Sequence, residues 1–231
     1  MELTSLKKKI YLWGDSIGKG VVWQPERGRY VLAPGRCEKR LRERGVDLEC
    51  HARMGATVAE GYADFLAASE TADGEALAVI EYGGNDCDLD WQAVSEAPEV
   101  FHDGRTPLAE FTELMKLFAR TARERGFRPV MVLPPPLQSQ RYFDWVCRGR
   151  DREAVRAYLG DVEHIGRWHG CYVEAIRQAA RETGSGLLDL HIPFLRAMNF
   201  RELICADGIH PSEAGQALMT RVALQALAAA G

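Results

Sequence analysis

At 231 residues, 46% hydrophobic and 27% charged with a net charge of −4, the chain has the size and balance of a globular domain whose core needs no disulfide or metal staple. The mildly acidic balance excludes the basic footprint of a nucleic-acid binder. MELTSLKKKIYLW starts cationic, but its apolar run of about five residues falls short of the roughly 7–15 of a signal segment, and no run approaches membrane-spanning length.

In chain order, KIYLW (9–13) predicts a strand, CEKRLRERG (37–45) a helix stopped by Gly45, and VDLECHA (46–52) a second strand. TVAEGYADFLAAS (57–69) is helical, and EALAVIEYGG (75–84) is a buried strand that breaks at two glycines. TPLAEFTELMKLFARTARERG (106–126) is the clearest helix, with Pro107 in its first turn and Leu108, Phe111, Leu114 and Phe118 on one face. RPVMVLPPP (128–136) gives a fourth strand, GCYVEAIRQAARETG (170–184) a helix, GLLDLHI (186–192) a fifth strand and PSEAGQALMTRVALQALAAA (211–230) the last helix. Such alternation predicts an α/β fold with a parallel sheet covered on both faces and active residues at the carboxyl ends of strands. Residues 1–231 read as one domain. The stretch 137–169 fits the alternation least and reads as an insertion or lid. The six cysteines (37, 50, 87, 147, 171, 205) contain no C-x-x-C pair and read as reduced thiols of a cytoplasmic protein.

The first chemical signal is LWGDSIGKG (12–20). A phosphate loop needs four residues between its first Gly and the Gly-Lys pair, and here three separate Gly14 from Gly18, with Gly20 where Ser or Thr belongs. GDSIG also matches G-x-S-x-G, but that nucleophile elbow follows several strands and fifteen residues cannot hold them. What remains is Ser16 at the end of the first strand with Gly14 permitting a tight turn; a Ser/Asp helix cap is the competing reading. Two further stretches favour the first. YGGND (82–86) brings an amide donor, Asn85, to the same sheet edge, and ADGIHPSEAG (206–215) sets Asp207 three residues before His210. A histidine held by a carboxylate on one ring nitrogen presents the other as a base.

GDSI, GGND and DGIH, in this order and at this wide spacing over almost the whole chain, resemble the SGNH hydrolases, also called GDSL esterases and lipases. The resemblance implies a three-layer α/β/α flavodoxin-like sandwich with a mostly parallel five-stranded sheet, and a serine ester hydrolase that uses no metal or organic cofactor. It implies Ser16 as nucleophile, His210 as base and Asp207 as orienting carboxylate, with an oxyanion hole of the Ser16 N–H, the Gly55 N–H and the Asn85 side chain. Gly55 in ARMGATV is the natural candidate for the family glycine; members often carry an asparagine a few residues before it, where this chain has His51, Ala52 and Arg53. The leucine of GDSL is Ile17.

Other features read more plainly. Asp86, Asp88 and Asp90 imitate the start of a calcium loop, but Trp91 stands where glycine is needed and Ala97 where glutamate is, so no calcium site is expected and Asp86 is assigned to fixing the turn that holds Asn85. His164 and His169 read as surface or packing residues. Trp13, Trp23, Tyr142, Phe143 and Trp145 are expected to border the substrate, because the segment around 142–145 is too polar to build a core. The expected substrate is a small-molecule or oligosaccharide ester, acetylated carbohydrate first, since no long apolar stripe remains for a long acyl chain. Lysophospholipase or acyl-thioesterase, acyl transferase and a non-catalytic binding module are the alternatives; the sequence does not specify an oligomeric state.

Overall fold

Ile10–Gly14 is buried at every position, which requires a strand covered on both faces. The computed structural model, which describes residues 9–68, 71–72 and 75–229, makes this run β1, the second strand of a five-stranded sheet. β1 (Ile10–Gly14) pairs in parallel with β4 (Leu48–Cys50) on one side and β5 (Leu77–Glu81) on the other. β6 (Arg128–Leu133) and β7 (Gly186–Asp189) continue the parallel sheet, giving the order β4-β1-β5-β6-β7. These are the five strands expected, the first shifted by one residue to end at Gly14 and the other four trimmed at one or both ends. The two remaining strands, β2 (Val21–Gln24) and β3 (Arg29–Leu32), form an antiparallel hairpin that the chain-order reading omits. Its signal is present: VVWQ and RYVL flank PERG, with Gly28 at φ +56° closing the turn.

The helices are α1 (Ser16–Lys19), α2 (Cys37–Arg42), α3 (Val58–Ala67), α4 (Trp91–Glu96), α5 (Leu108–Glu124), α6 (Ser139–Val146), α7 (Arg152–Leu159), α8 (His164–Thr183), α9 (His191–Leu195), α10 (Phe200–Leu203) and α11 (Glu213–Ala229). Side chains alternate across the sheet, so Tyr11, Trp13, Ala78, Ile80 and Met131 join the core made with α3, α5 and α8. Ile10 and Leu48 face α2 and α11 on the other side, where Val132 meets Phe194 and Met219. The result is the three-layer α/β/α arrangement. No helix among the described residues is long and apolar enough to cross a membrane.

Two expected helix bounds need correction, and so does the expectation that the segment around 142–145 is too polar to build a core. The stretch 137–169 is mostly helical: α6, α7 and the first turns of α8 pack with α4 around a core of their own that includes Trp91, Val94, Tyr142, Phe143, Val146, Val155, Leu159 and Ile165. Its polar residues occupy the outer faces of short helices, which hid the apolar stripe. The helix expected over 170–184 begins at His164. The last helix starts at Glu213, because Pro211 is held in a β-bridge with Ile204; position 230, like 69, lies outside the described residues.

The connection leaving β1 runs to β4 and the one leaving β5 runs to β6, in opposite directions along the sheet. Such a divergence opens a crevice at the carboxyl ends of the two strands, the usual ligand position in open α/β sheets. Ser16 follows β1 and Asn85 follows β5.

Candidate active site

The nucleophile turn is built around a carboxyl that sequence reasoning missed. After Gly14 the chain enters α1 at once, with Asp15 as N-cap accepting the Ile17 N–H at 2.8 Å. Glu81 lies opposite Gly14 in the sheet and is buried; its Oε2 accepts the N–H of Gly18 at 2.9 Å and of Asp15 at 3.2 Å. A Cβ on Gly14 or on Gly18 would stand 2.7 Å from that oxygen. The glycines flanking Asp15–Ile17 therefore leave room for Glu81, and the G-x-S-x-G spacing follows from this contact. Its signal is the acid that ends the otherwise apolar run LAVIE. Burial and the neighbouring Asp15 push Glu81 well above the usual carboxylate range; burial pushes Asp15 up to about 6 against the pull of the Ile17 N–H.

His210 joins the two ends of the chain. Its Nε2 lies 2.8 Å from Ser16 Oγ and its Nδ1 2.6 Å from Asp207 Oδ2, with all three side chains buried. Asp207 Oδ1 accepts the backbone N–H groups of Ile209 and His210. Burial alone would raise Asp207, but the hydrogen bond and charge of His210 and these two N–H groups hold it below its ordinary value. The turn is pinned by Cys205 N–H donating to His210 O at 2.8 Å and Gln138 N–H to Gly208 O at 2.9 Å. Gly208 has φ +79°, and a Cβ there would sit 2.3 Å from the Tyr142 nitrogen. From the unpredicted hairpin, Tyr30 brings its ring to 5.0 Å from the His210 imidazole.

Asn85 reaches the same crevice. Its Nδ2 donates to Asp15 Oδ2 at 3.0 Å and to Ala56 O at 3.1 Å, so both amide hydrogens are engaged. Asp86 fixes this turn as expected: its carboxylate accepts the N–H of Gly83 and of Val58 and the hydroxyl of Thr106. The loop carrying Gly55 is tied in through Ala56 and through the Arg53 N–H, which donates to Gly14 O at 2.9 Å. Gly55 itself has φ +77° and does not line the cavity beside Ser16. The Ser16 N–H occupies the first helical position, where no intrahelical acceptor exists.

That cavity, about 350 Å³, is bordered by Ser16, Asn85 and His210 and walled by the segment 84–89 after β5 together with residues of α4, α6, α7 and the start of α8. Of the five aromatic residues expected at the substrate, only Tyr142 lines it. Trp13 is 1% exposed and stacks on His51 at 4.9 Å within the sheet core: it neighbours Ser16 in sequence but projects to the α3/α5 face. Phe143 is fully buried in the α4/α6/α7 core, with Arg152 and Arg156 over its ring. Trp23 and Trp145 meet edge-on at 4.7 Å and, with Tyr30, form a patch on the other flank of His210. His169 is buried against His191, and burial and that neighbour lower it to about 3. Among the described residues no cluster of three or more His, Cys, Asp or Glu side chains could hold a metal.

A family model described as GDSL-like lipase/acylhydrolase matches residues 12–218. The chain belongs to this family. As a GDSL-like hydrolase it also shares its fold with solved structures of low identity. An acetylxylan esterase from Geobacillus stearothermophilus, solved as a catalytic mutant, is 17% identical with a TM-score of 0.65, covering 97% of this chain and 95% of that one. A lipase/acylhydrolase from Enterococcus faecalis is 17% identical, TM-score 0.61, covering 95% of each chain. A GDSL-like lipase from Bacteroides thetaiotaomicron is 17% identical, TM-score 0.61, covering 99% and 91%. No curated protein matches the sequence.

Proposed function

We propose that this GDSL-like hydrolase cleaves small carboxylic esters through Ser16, His210 and Asp207. The observation that carries the reading is His210, set between Ser16 Oγ at 2.8 Å and Asp207 Oδ2 at 2.6 Å. His210 takes the serine proton as Oγ bonds to the ester carbonyl carbon, and Asp207 stabilises the imidazolium. The same proton passes to the departing alkoxide as the C–O bond breaks. Water, deprotonated by His210, then splits the acyl-serine to acid and free enzyme. The developing oxyanion is met by the Ser16 N–H and by Asn85, which must exchange one of its two present acceptors for it; the Gly55 N–H, outside the cavity lining, joins them only with a shift of its loop toward Ser16. Asn85→Ala is expected to lower kcat by about 10²–10³ with little change in KM, because the amide acts on the transition state. Steady-state kinetics on one ester decides this: a change confined to KM would make Asn85 a ground-state binding residue.

The cavity sits at the small end of the roughly 300–1,000 Å³ of small-molecule sites. It is more apolar than the sequence suggested, with Leu89, Leu137, Leu159, Ile165 and Ile209 in its wall. The Asp88 carboxylate interrupts that wall, and laying an alkyl chain over an ionised group strips its solvation without replacing it. A short acyl group is therefore the better fit. For a carbohydrate alcohol, Trp13 and Phe143 offer nothing because they are buried; of the five expected rings, Tyr142 at the cavity and the Trp23/Trp145 patch remain to meet a sugar ring. In a p-nitrophenyl ester series, kcat/KM is expected to fall from acetate to octanoate; a steady rise would favour the lysophospholipase or thioesterase reading.

A further inference from the structure

The cavity beside Ser16 has an unusual wall for an ester site. No lysine or arginine lines it, while Asp15 and Asp88 do, together with the rings of Trp91, Tyr142, Tyr158 and Trp168. The polar atoms of these rings are all spent on the protein. Trp91 Nε1 donates to Asp88 Oδ1 at 2.8 Å, Trp168 Nε1 to Cys87 O at 2.8 Å and the Tyr158 hydroxyl to His102 O at 2.9 Å, while the Tyr142 hydroxyl donates to Asp88 Oδ1. With its polar atoms engaged, each ring is left to meet a ligand through its aromatic carbons. Phe101, 75% exposed, adds another ring at the rim.

Asp88 supplies the second half of the pattern. Its three donors, the Leu89 N–H, Trp91 Nε1–H and Tyr142 O–H, all end on Oδ1. Oδ2 accepts no hydrogen bond among the described residues. The cation closest in the bonding network, Arg105, donates its backbone N–H to Asp88 O but sends its guanidinium to the Gly55 carbonyl at 3.4 Å, and it does not line the cavity. Burial raises Asp88 above its ordinary value despite the three donors and the pull of the Arg105 charge, which acts without a hydrogen bond to the carboxylate. Aromatic faces around one carboxylate are the chemistry that recognises an ammonium ion, quaternary ones included.

We infer that this cavity binds the cationic ammonium head of the ester substrate, with the aromatic rings around it and Asp88 Oδ2 as its counter-ion. The inference rests on the ester-hydrolase reading and adds the substrate class. Neutral esters of the same shape are poorer substrates, because they leave Oδ2 desolvated and gain nothing from the ring quadrupoles.

Isosteric pairs test it. Acetylcholine is compared with 3,3-dimethylbutyl acetate, and the ethyl ester of 4-(trimethylammonio)butyrate with ethyl 5,5-dimethylhexanoate, so that the charge lies on the alcohol side in one pair and the acyl side in the other. In at least one pair kcat/KM is expected to favour the cation by about tenfold. Asp88→Asn keeps an acceptor for the three donors and removes the charge, so the ratio should drop to within about twofold of unity; Trp168→Leu should lower it as well. Equal rates in both pairs, or a ratio unchanged in both variants, would overturn the inference while leaving ester hydrolysis standing. Absence of turnover on all four esters together with no labelling by a fluorophosphonate would instead remove the hydrolase reading. Tryptophan fluorescence titrated with choline and with 3,3-dimethylbutanol reads the cavity without any chemistry, and a response to the alcohol as large as that to choline also counts against the cation.

Discussion

Ser16→Ala is expected to abolish fluorophosphonate labelling and to cut ester turnover by about 10⁴–10⁶, leaving the fold intact. The large kinetic effect follows from the loss of the only proposed nucleophile. The small structural effect follows from the contacts: among the described residues Ser16 Oγ hydrogen-bonds His210 Nε2 alone. Losing such a bond costs about 1 kcal/mol, or roughly 2–4 °C in the unfolding midpoint of a chain this long. Turnover near the wild-type rate in the purified variant would remove the serine mechanism, whereas a collapsed melting transition would give Ser16 a structural role.

His210→Ala is expected to lose nearly as much activity as Ser16→Ala but to be the less stable protein. It strands the Asp207 carboxylate, which is 0% exposed and would be left with the backbone donors of Ile209 and of residue 210 and the neighbouring Tyr30 hydroxyl. An uncompensated buried charge is among the costlier defects a fold can carry. Asp207 also has its acidity strengthened by His210, so its stabilising contribution exists above its unfolded titration range and is lost as pH falls through its lower folded value. With the partner removed, this contribution shrinks, and the melting difference between wild type and His210→Ala should be larger at pH 7 than at pH 3. Asp207→Ala should retain more activity than His210→Ala, since it orients and stabilises the imidazole without exchanging protons with substrate. Wild-type kinetics in His210→Ala would refute the base assignment.

The parts of the molecule legible in the sequence are those whose signal is local and redundant. Parallel strands buried on both faces appear as unbroken apolar runs, so LAVIE and VMVL could be placed without knowing their neighbours. Ser16, Asn85, Asp207 and His210 were marked by short motifs at strand ends and turns, and the fold brings Ser16, Asp207 and His210 into one hydrogen-bonded chain. What escaped depends on direction. Trp13 and Ser16 are three residues apart, but strand alternation sends Trp13 into the sheet core, and adjacency in sequence does not report that. The β2–β3 hairpin and the α4/α6/α7 layer escaped because their strands are four residues long and their helices six to eight, too short for a periodic pattern to outweigh charged outer faces. Glu81 escaped because its role is set by a backbone more than sixty residues away.

The docking of Glu81 onto the nucleophile turn ties three positions of the chain into one inherited unit. Gly14 and Gly18 can acquire side chains only if the carboxyl that fills their space is shortened, and Glu81 can be shortened only if something else accepts the Asp15 and Gly18 N–H groups. Any one of these changes made alone leaves either a collision or two stranded backbone donors. Random mutagenesis aimed at the surroundings of Ser16 would find these sites closed one at a time and open only as combinations, so a library meant to reshape the turn should vary 14, 18 and 81 together.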